Sequence, residues 1–141
     1  MKSEIRDLIP PIIGRGNDWT IFEYEVKKRF EGDFSEPYSM PVSIVIPVYN
    51  RKEKLSKTLA AITHQTYPLD LIEIIIADDG SSDNPEELIE TFSQYFPLHY
   101  IRQDDEGYRL SEIRNKGVKA ANFEQIIILD CDMLPLPTLV E

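Results

Sequence analysis

The chain has 141 residues, enough for one compact domain with its own core and too few for two. Lys and Arg number 15 against 25 Asp and Glu, and the net charge of -10 argues against a general nucleic-acid or anionic-membrane surface. One anionic ligand stays compatible with that charge, because a divalent metal can bridge acids to phosphate. Cys131 is the sole cysteine, which excludes an intramolecular disulfide and a cysteine-based zinc site and suits a cytoplasmic setting, or the cytoplasmic face of a membrane in a longer parent. No apolar run is long enough to span a bilayer, and "MKSEIRDLIPP" does not read as a signal peptide.

Residues 1–40 have mixed polarity, three prolines and one short predicted helix at 19–30. They read as a lead-in segment that packs outside the core, which occupies 41–141. From Val42 the pattern becomes regular: "VSIVIPV", "LIEIIIAD", "LHYIR" and "QIIILD" are β-branched runs of strand length, separated by helical stretches. Asn50 is expected to cap the first helix, with Glu53 three residues on and Leu55, Leu59 and Ile62 on one face. Asn84, Pro85 and Glu87 are expected to start the second, whose apolar stripe is Leu88, Phe92 and Tyr95. The third is expected over 110–121, with Leu110, Ile113, Gly117 and Ala120 inward.

Strands alternating with helices predict an α/β fold: an open, mostly parallel, Rossmann-like sheet with helices on both faces. The unbroken apolar character of "EIIIAD" and "QIIILD" predicts cover on both sides of those strands. Ligands of such sheets bind beyond the carboxyl ends of the strands, where strand order reverses. The residues expected there are Pro47, Val48, Tyr49, Asn50 and Arg51 after strand one, Asp78 and Asp79 after strand two, and Asp130, Cys131 and Asp132 after strand four. Four acids at one rim repel each other unless a cation or hydrogen-bond donors offset the charge. Hard oxygen ligands of this kind suit Mg²⁺ or Mn²⁺.

"SIVIPVYNR", "IIIADDGSSD", "EGYRLSEIRNKGVKAA" and "IIILDCDMLP" resemble, in order and spacing, the motifs of the family 2 glycosyltransferases of the GT-A fold, which move a sugar from a nucleotide diphosphate to an acceptor. The wording of the last two blocks is most similar to the bacterial chondroitin-polymerase type. The resemblance implies a UDP-sugar donor, a saccharide acceptor, inversion and dependence on Mn²⁺ or Mg²⁺. Carried onto this sequence, it implies that Pro47, Val48 and Tyr49 line the uridine pocket and that Asp79, helped by Asp78, accepts a hydrogen bond from uracil. Gly107, Arg114 and Asn115 would lie near the base and diphosphate, Asp130 against the ribose, and Asp132, with Asp130, at the metal. The family's catalytic base lies well downstream of the Asp-x-Asp, so the resemblance implies a truncated GT-A domain carrying the donor site without its acceptor half.

Plainer readings stand beside these. The Asp-x-Asp could be a solvated strand end with a turn, 78–83 an ordinary β-to-α turn, Tyr49 a packed aromatic and Arg114 the partner of a neighbouring acid. His64 and His99 have no metal-ligand spacing, and Cys131, pointing away from its flanking acids in an extended strand, reads as a small buried filler. At the level of function the alternatives are a module that binds a nucleoside diphosphate without turnover and, more remotely, a haloacid-dehalogenase-like phosphatase, which "ILDCDM" also resembles. A sheet left open beyond strand four is expected to self-associate through its edge or to be covered by the lead-in segment.

Overall fold

A computed structural model describes residues 40–141; the helix expected at 19–30 and the packing of the lead-in lie outside the described residues. Strands β1 (Val42–Val48), β2 (Ile72–Asp78), β3 (Leu98–Arg102) and β4 (Gln125–Ile128) form one sheet in the order β3-β2-β1-β4. All neighbours are parallel, and Val48 pairs with Asp78 and Asp78 with Arg102, so three strands finish level at one rim. The chain steps outward from β1 to β3 and then returns to the other side of β1. Strand order therefore reverses between β1 and β4, at the place where open α/β sheets take their ligands.

Side-chain alternation divides the core into two layers. Ile44, Ile46 and Val48 of β1 and Ile72, Ile74 and Ile76 of β2 meet helix α1 (Lys52–Ile62) and the short helix α2 (Leu88–Phe92) through Leu55, Leu59, Ile62 and Phe92. On the opposite face Val45, Ile75 and Ala77 meet helix α3 (Leu110–Ala120) through Ile113, with Leu110, Val118 and Ala120 at the margin. The expected α/β sheet with helices on both faces is what the chain forms. Gly117 is required by that packing, since a Cβ there would stand 2.4 Å from Val45 Cγ1.

Three local expectations change. Asn50 does not cap α1: its φ is +50°, Arg51 holds the cap position, and no side-chain cap bond forms from it. The Lys52 N–H instead donates to Asp83 Oδ2 at 2.8 Å, so the cap comes from the loop after β2. The second helix begins as a 3-10 turn, Pro85–Glu87, after a left-handed Asn84, and only Leu88–Phe92 is α-helical. The cover expected on both faces of the second and fourth strands holds for β2 and, among the described residues, fails for β4. Because α3 packs on β1, β2 and β3, Ile126 and Ile128, which share the face of Val45, are 37% and 51% exposed, whereas Ile127 joins the α1 layer.

Candidate functional site

Four segments meet at the carboxyl rim of the sheet. After β1, Tyr49 is exposed and its hydroxyl donates to Asp105 Oδ2 at 2.9 Å, an acceptor that makes the phenol harder to ionise than usual. Asn50 sews this turn to the next one. Its N–H donates to Ser81 Oγ at 2.9 Å, and its Oδ1 accepts from Ser82 N at 2.8 Å and Ser82 Oγ at 3.1 Å. Asparagine tolerates the left-handed backbone this position needs while still supplying an acceptor. Lys52 Nζ adds a bond to Glu87 across the same seam.

The two acids after β2 are both enclosed. Asp78 is fully buried: its Oδ1 accepts from Ser81 N and Ser81 Oγ at 2.9 and 2.5 Å, and its Oδ2 from Tyr100 Oη and Arg102 Nη1 at 2.5 and 3.1 Å. All four donors are protein groups, and they hold the turn closed; burial, with Asp78 as acceptor, raises the Tyr100 pKa and keeps its proton in place. Asp79 is 3% exposed, with Oδ1 accepting from Gln103 Nε2 at 2.5 Å and Oδ2 from Arg109 N at 3.1 Å. Each carboxylate oxygen has a second lone pair, so Asp79 keeps acceptor capacity beyond these two bonds.

The third segment, 103–109, lies over Gly80, where a Cβ would come within 2.5 Å of Asp105 N. Gly80 and Gly107 have φ of +88° and +89°, which glycine accepts without the cost an L side chain meets. Lys116 Nζ donates to Gln103 Oε1 at 2.8 Å and extends the chain of contacts that starts at Asp79. Tyr108 is 87% exposed beside Gly107.

The fourth segment holds Asp130 and Asp132, and here the expectation of an extended strand gives way. β4 ends at Ile128, and Met133 N donates to Asp130 O at 3.1 Å, so both acids sit on a turn. Thr58 of α1 pins this turn, its hydroxyl lying 2.9 Å from Cys131 O and 2.7 Å from Met133 O. Cys131 faces inward as expected, and burial pushes its thiol pKa up. Both carboxylates are exposed, and each faces an arginine: Arg114 Nη2 is 3.0 Å from Asp130 Oδ1, and Arg51 Nη1 is 3.8 Å from Asp132 Oδ2. Arg114 Nε is buried with no hydrogen-bond partner. Asn115 follows it on α3 and is exposed.

The rim thus gathers Pro47, Val48, Tyr49, Asp79, Arg114, Asp130 and Asp132, while Asp78 lies beneath it. Asn50 and Arg51, expected at this rim without an assigned role, also build it, as do Gln103, Asp105 and Arg109, which were not expected there. Among the described residues no three His, Cys, Asp or Glu side chains converge on one point. Two exposed carboxylates on a turn nevertheless fit Mg²⁺ or Mn²⁺, which takes one or two acids and completes its shell with water and phosphate.

The family model described as Glycosyl transferase family 2 matches residues 43–141. The chain belongs to glycosyl transferase family 2. It is 46% identical over 135 residues to a chondroitin synthase of Escherichia coli, covering 94% of this chain and 19% of that protein. It is 35% identical over 135 residues to a hyaluronan synthase of Pasteurella multocida, covering 94% of this chain and 13% of that one. The chain spans less than a fifth of the length of these relatives. Among solved structures, S. aureus TarS 1-349 matches with a TM-score of 0.65 at 22% identity, over 70% of this chain and 29% of that one. The mannosyltransferase PcManGT of Pyrobaculum calidifontis, in complex with GDP-Man and Mn²⁺, matches with a TM-score of 0.62 at 21% identity, over 84% and 36%. These likenesses agree with the GT-A, Rossmann-like sheet, and the family match leaves no ground for the phosphatase reading.

Proposed function

We propose that this chain carries the donor site of a metal-dependent, inverting glycosyltransferase that moves a sugar from a UDP-sugar to a saccharide hydroxyl. The observation that carries the reading is the convergence, at the reversal of strand order between β1 and β4, of Tyr49, Asp79, Asp130 and Asp132 on one rim. The names of the relatives, chondroitin synthase and hyaluronan synthase, support a saccharide product. A TarS structure in complex with UDP-GlcNAc, with a TM-score of 0.59, supports a uridine nucleotide as the donor.

In this reading Pro47, Val48 and Tyr49 bound the uridine, and the spare lone pairs of Asp79 accept the uracil N–H. Asp78 shapes the turn from below. Gly107, Arg114 and Asn115 lie toward the base and diphosphate, and Asp130 toward the ribose. Asp132, with Asp130, would hold Mg²⁺ or Mn²⁺, whose contribution is to neutralise charge on the departing diphosphate. In the transfer the acceptor oxygen attacks the sugar C1 from the face opposite the leaving group. The C1–O bond breaks with its electron pair going to the nucleoside diphosphate, and the hydroxyl proton passes to a base.

The only side-chain carboxylate after Asp132 is Glu141, and it is hydrogen-bonded to Thr66 Oγ1, beyond the C-terminal end of α1, whose other end faces the rim. We assign no base among residues 40–141, and read this part of the chain as binding the nucleotide without turning it over. We also propose that it works in the cytoplasm or on the cytoplasmic face of a membrane, and that the bare side of β4 is a self-association surface.

Calorimetric titration with UDP, with and without Mn²⁺, tests the reading. Wild type should bind more tightly with metal, Asp79→Ala should weaken binding in both conditions, and Asp132→Ala should lose only the metal-dependent part. Equal, metal-independent binding by all three would sink it. Metal-dependent turnover of a UDP-sugar by this chain, abolished by Asp132→Ala, would defeat the assignment of binding alone.

A further inference from the structure

Arg51 is the rim residue that the donor-site reading leaves without a task. It stands on the β1 side of the strand-order reversal and its partner, Asp132, on the β4 side, so the ion pair spans the crevice where the ligand belongs. The pair is loose: the charged groups are 3.8 Å apart, no hydrogen bond joins them, and the two side chains are 50% and 46% exposed. The Arg102 pair with the buried Asp78 is of another kind, at 3.1 Å with a hydrogen bond and other donors in attendance. The Arg51 backbone, in contrast to its side chain, is fixed. Its carbonyl accepts from Leu55 N at 2.9 Å, and its neighbours Asn50 and Lys52 are tied to Ser81 and Asp83.

We propose that Arg51 is an exchangeable counterion: its guanidinium pairs with Asp132 and turns to the nucleotide diphosphate when a divalent cation takes the carboxylate. The inference rests on the assignment of Asp132 to the metal. Two physical arguments carry it. An exposed pair of this geometry is worth little, so a divalent cation at the same carboxylate displaces it readily, where a tight buried pair would keep the cation out. Once displaced, a guanidinium tethered at the crevice mouth is left without a partner beside a diphosphate, whose oxygens its planar fork can bind in pairs. Cation and nucleotide then help each other: the cation releases the arginine, and the arginine binds the anion.

The test uses the whole chain and two readouts independent of turnover: Mn²⁺ binding without nucleotide, followed by the electron paramagnetic resonance of free Mn²⁺, and UDP affinity at saturating Mn²⁺. Arg51→Met removes the charge at similar length. It should bind Mn²⁺ alone about two- to fivefold more tightly, from loss of a weak competitor. It should bind UDP in the presence of Mn²⁺ about tenfold more weakly, from loss of a charged hydrogen bond. Arg51→Lys should keep the wild-type Mn²⁺ affinity and recover part of the UDP affinity. An Arg51→Met chain with unchanged or weaker Mn²⁺ binding, or with unchanged UDP affinity, overturns the proposal. Asp132→Asn separates the two levels. If it leaves Mn²⁺ binding intact, the metal assignment itself has failed and the exchange with it; if it abolishes Mn²⁺ binding while Arg51→Met changes nothing, only the exchange has failed.

Discussion

Glu73 carries a carboxylate almost wholly out of water, with a side chain 3% exposed at the end of the sheet opposite the donor rim. Ser43 Oγ and Asn122 N donate to its Oε1 at 2.5 and 2.6 Å, Asn122 Nδ2 donates to Oε2 at 2.8 Å, and His99 Nε2 lies 3.4 Å from Oε2. Burial pushes its pKa up, but the bonds from Asn122 and Ser43 and the nearby His99 outweigh that and leave it below the ordinary 4.5. A carboxyl whose folded pKa is depressed stabilises the fold above its unfolded pKa and loses that contribution as pH falls through the lower folded value. Thermal melts should therefore show stability dropping as the pH falls below 4.5, with Glu73→Gln flattening the drop and costing about 1–3 kcal/mol at neutral pH. A variant that melts as steeply with acid as the parent would remove Glu73 from the acid response. Nothing in "LIEIIIAD" announced this role, because its partners lie 30 and 49 residues away.

Helix α3 shows how packing of an element reaches the site. Ile113 and Gly117 seat it on Val45 and Ala77, and the same helix carries Arg114 to Asp130. Gly117→Ala puts a methyl 2.4 Å from Val45 Cγ1 and 3.3 Å from Ala77 Cβ, so either the side chains or the helix must shift. Overpacking of this kind costs about 1–3 kcal/mol, readable by urea unfolding. Val45→Ala makes room for the methyl, so the double variant should be more stable than the two single losses added together; strict additivity would show that the contact is not what holds α3. The inward face of α3 was legible because its apolar spacing is helical and eleven residues long. Helix α2 was less so: a left-handed Asn84 and Pro85 favour a 3-10 start, and five α-helical residues are too few for periodicity to fix.

At the scale of the molecule, β4 pairs with β1 on one side and with no other strand among the described residues. Ile126 and Ile128 add apolar surface to that open edge, and Met133 and Leu134 follow them in exposed positions. Concentration-dependent association should be visible by light scattering, and Ile128→Lys, which places a charge at the edge, should weaken it. A chain that stays monomeric at high concentration, and whose variant behaves identically, would defeat the self-association surface.

The order of strands and helices, the parallel sheet and the four rim motifs follow from this sequence alone, since apolar periodicity and turn residues act over short stretches of chain. Which pair of acids meets solvent, and what holds each carboxylate, was a tertiary decision: Asp78 and Asp79 are enclosed, Asp130 and Asp132 exposed. Asp78 and Asp79 stand side by side in sequence, yet Asp78 is sealed by Tyr100 and Arg102 of the neighbouring strand and Asp79 is seated by Gln103 and Arg109. Asp130 and Asp132 reach the rim through a turn pinned by Thr58, and they meet Arg114 and Arg51 there because β4 returns to the side of β1 opposite β2. Hydrogen bonds and ion pairs between residues tens of positions apart exist only once the sheet has brought them together, so no local pattern could display them.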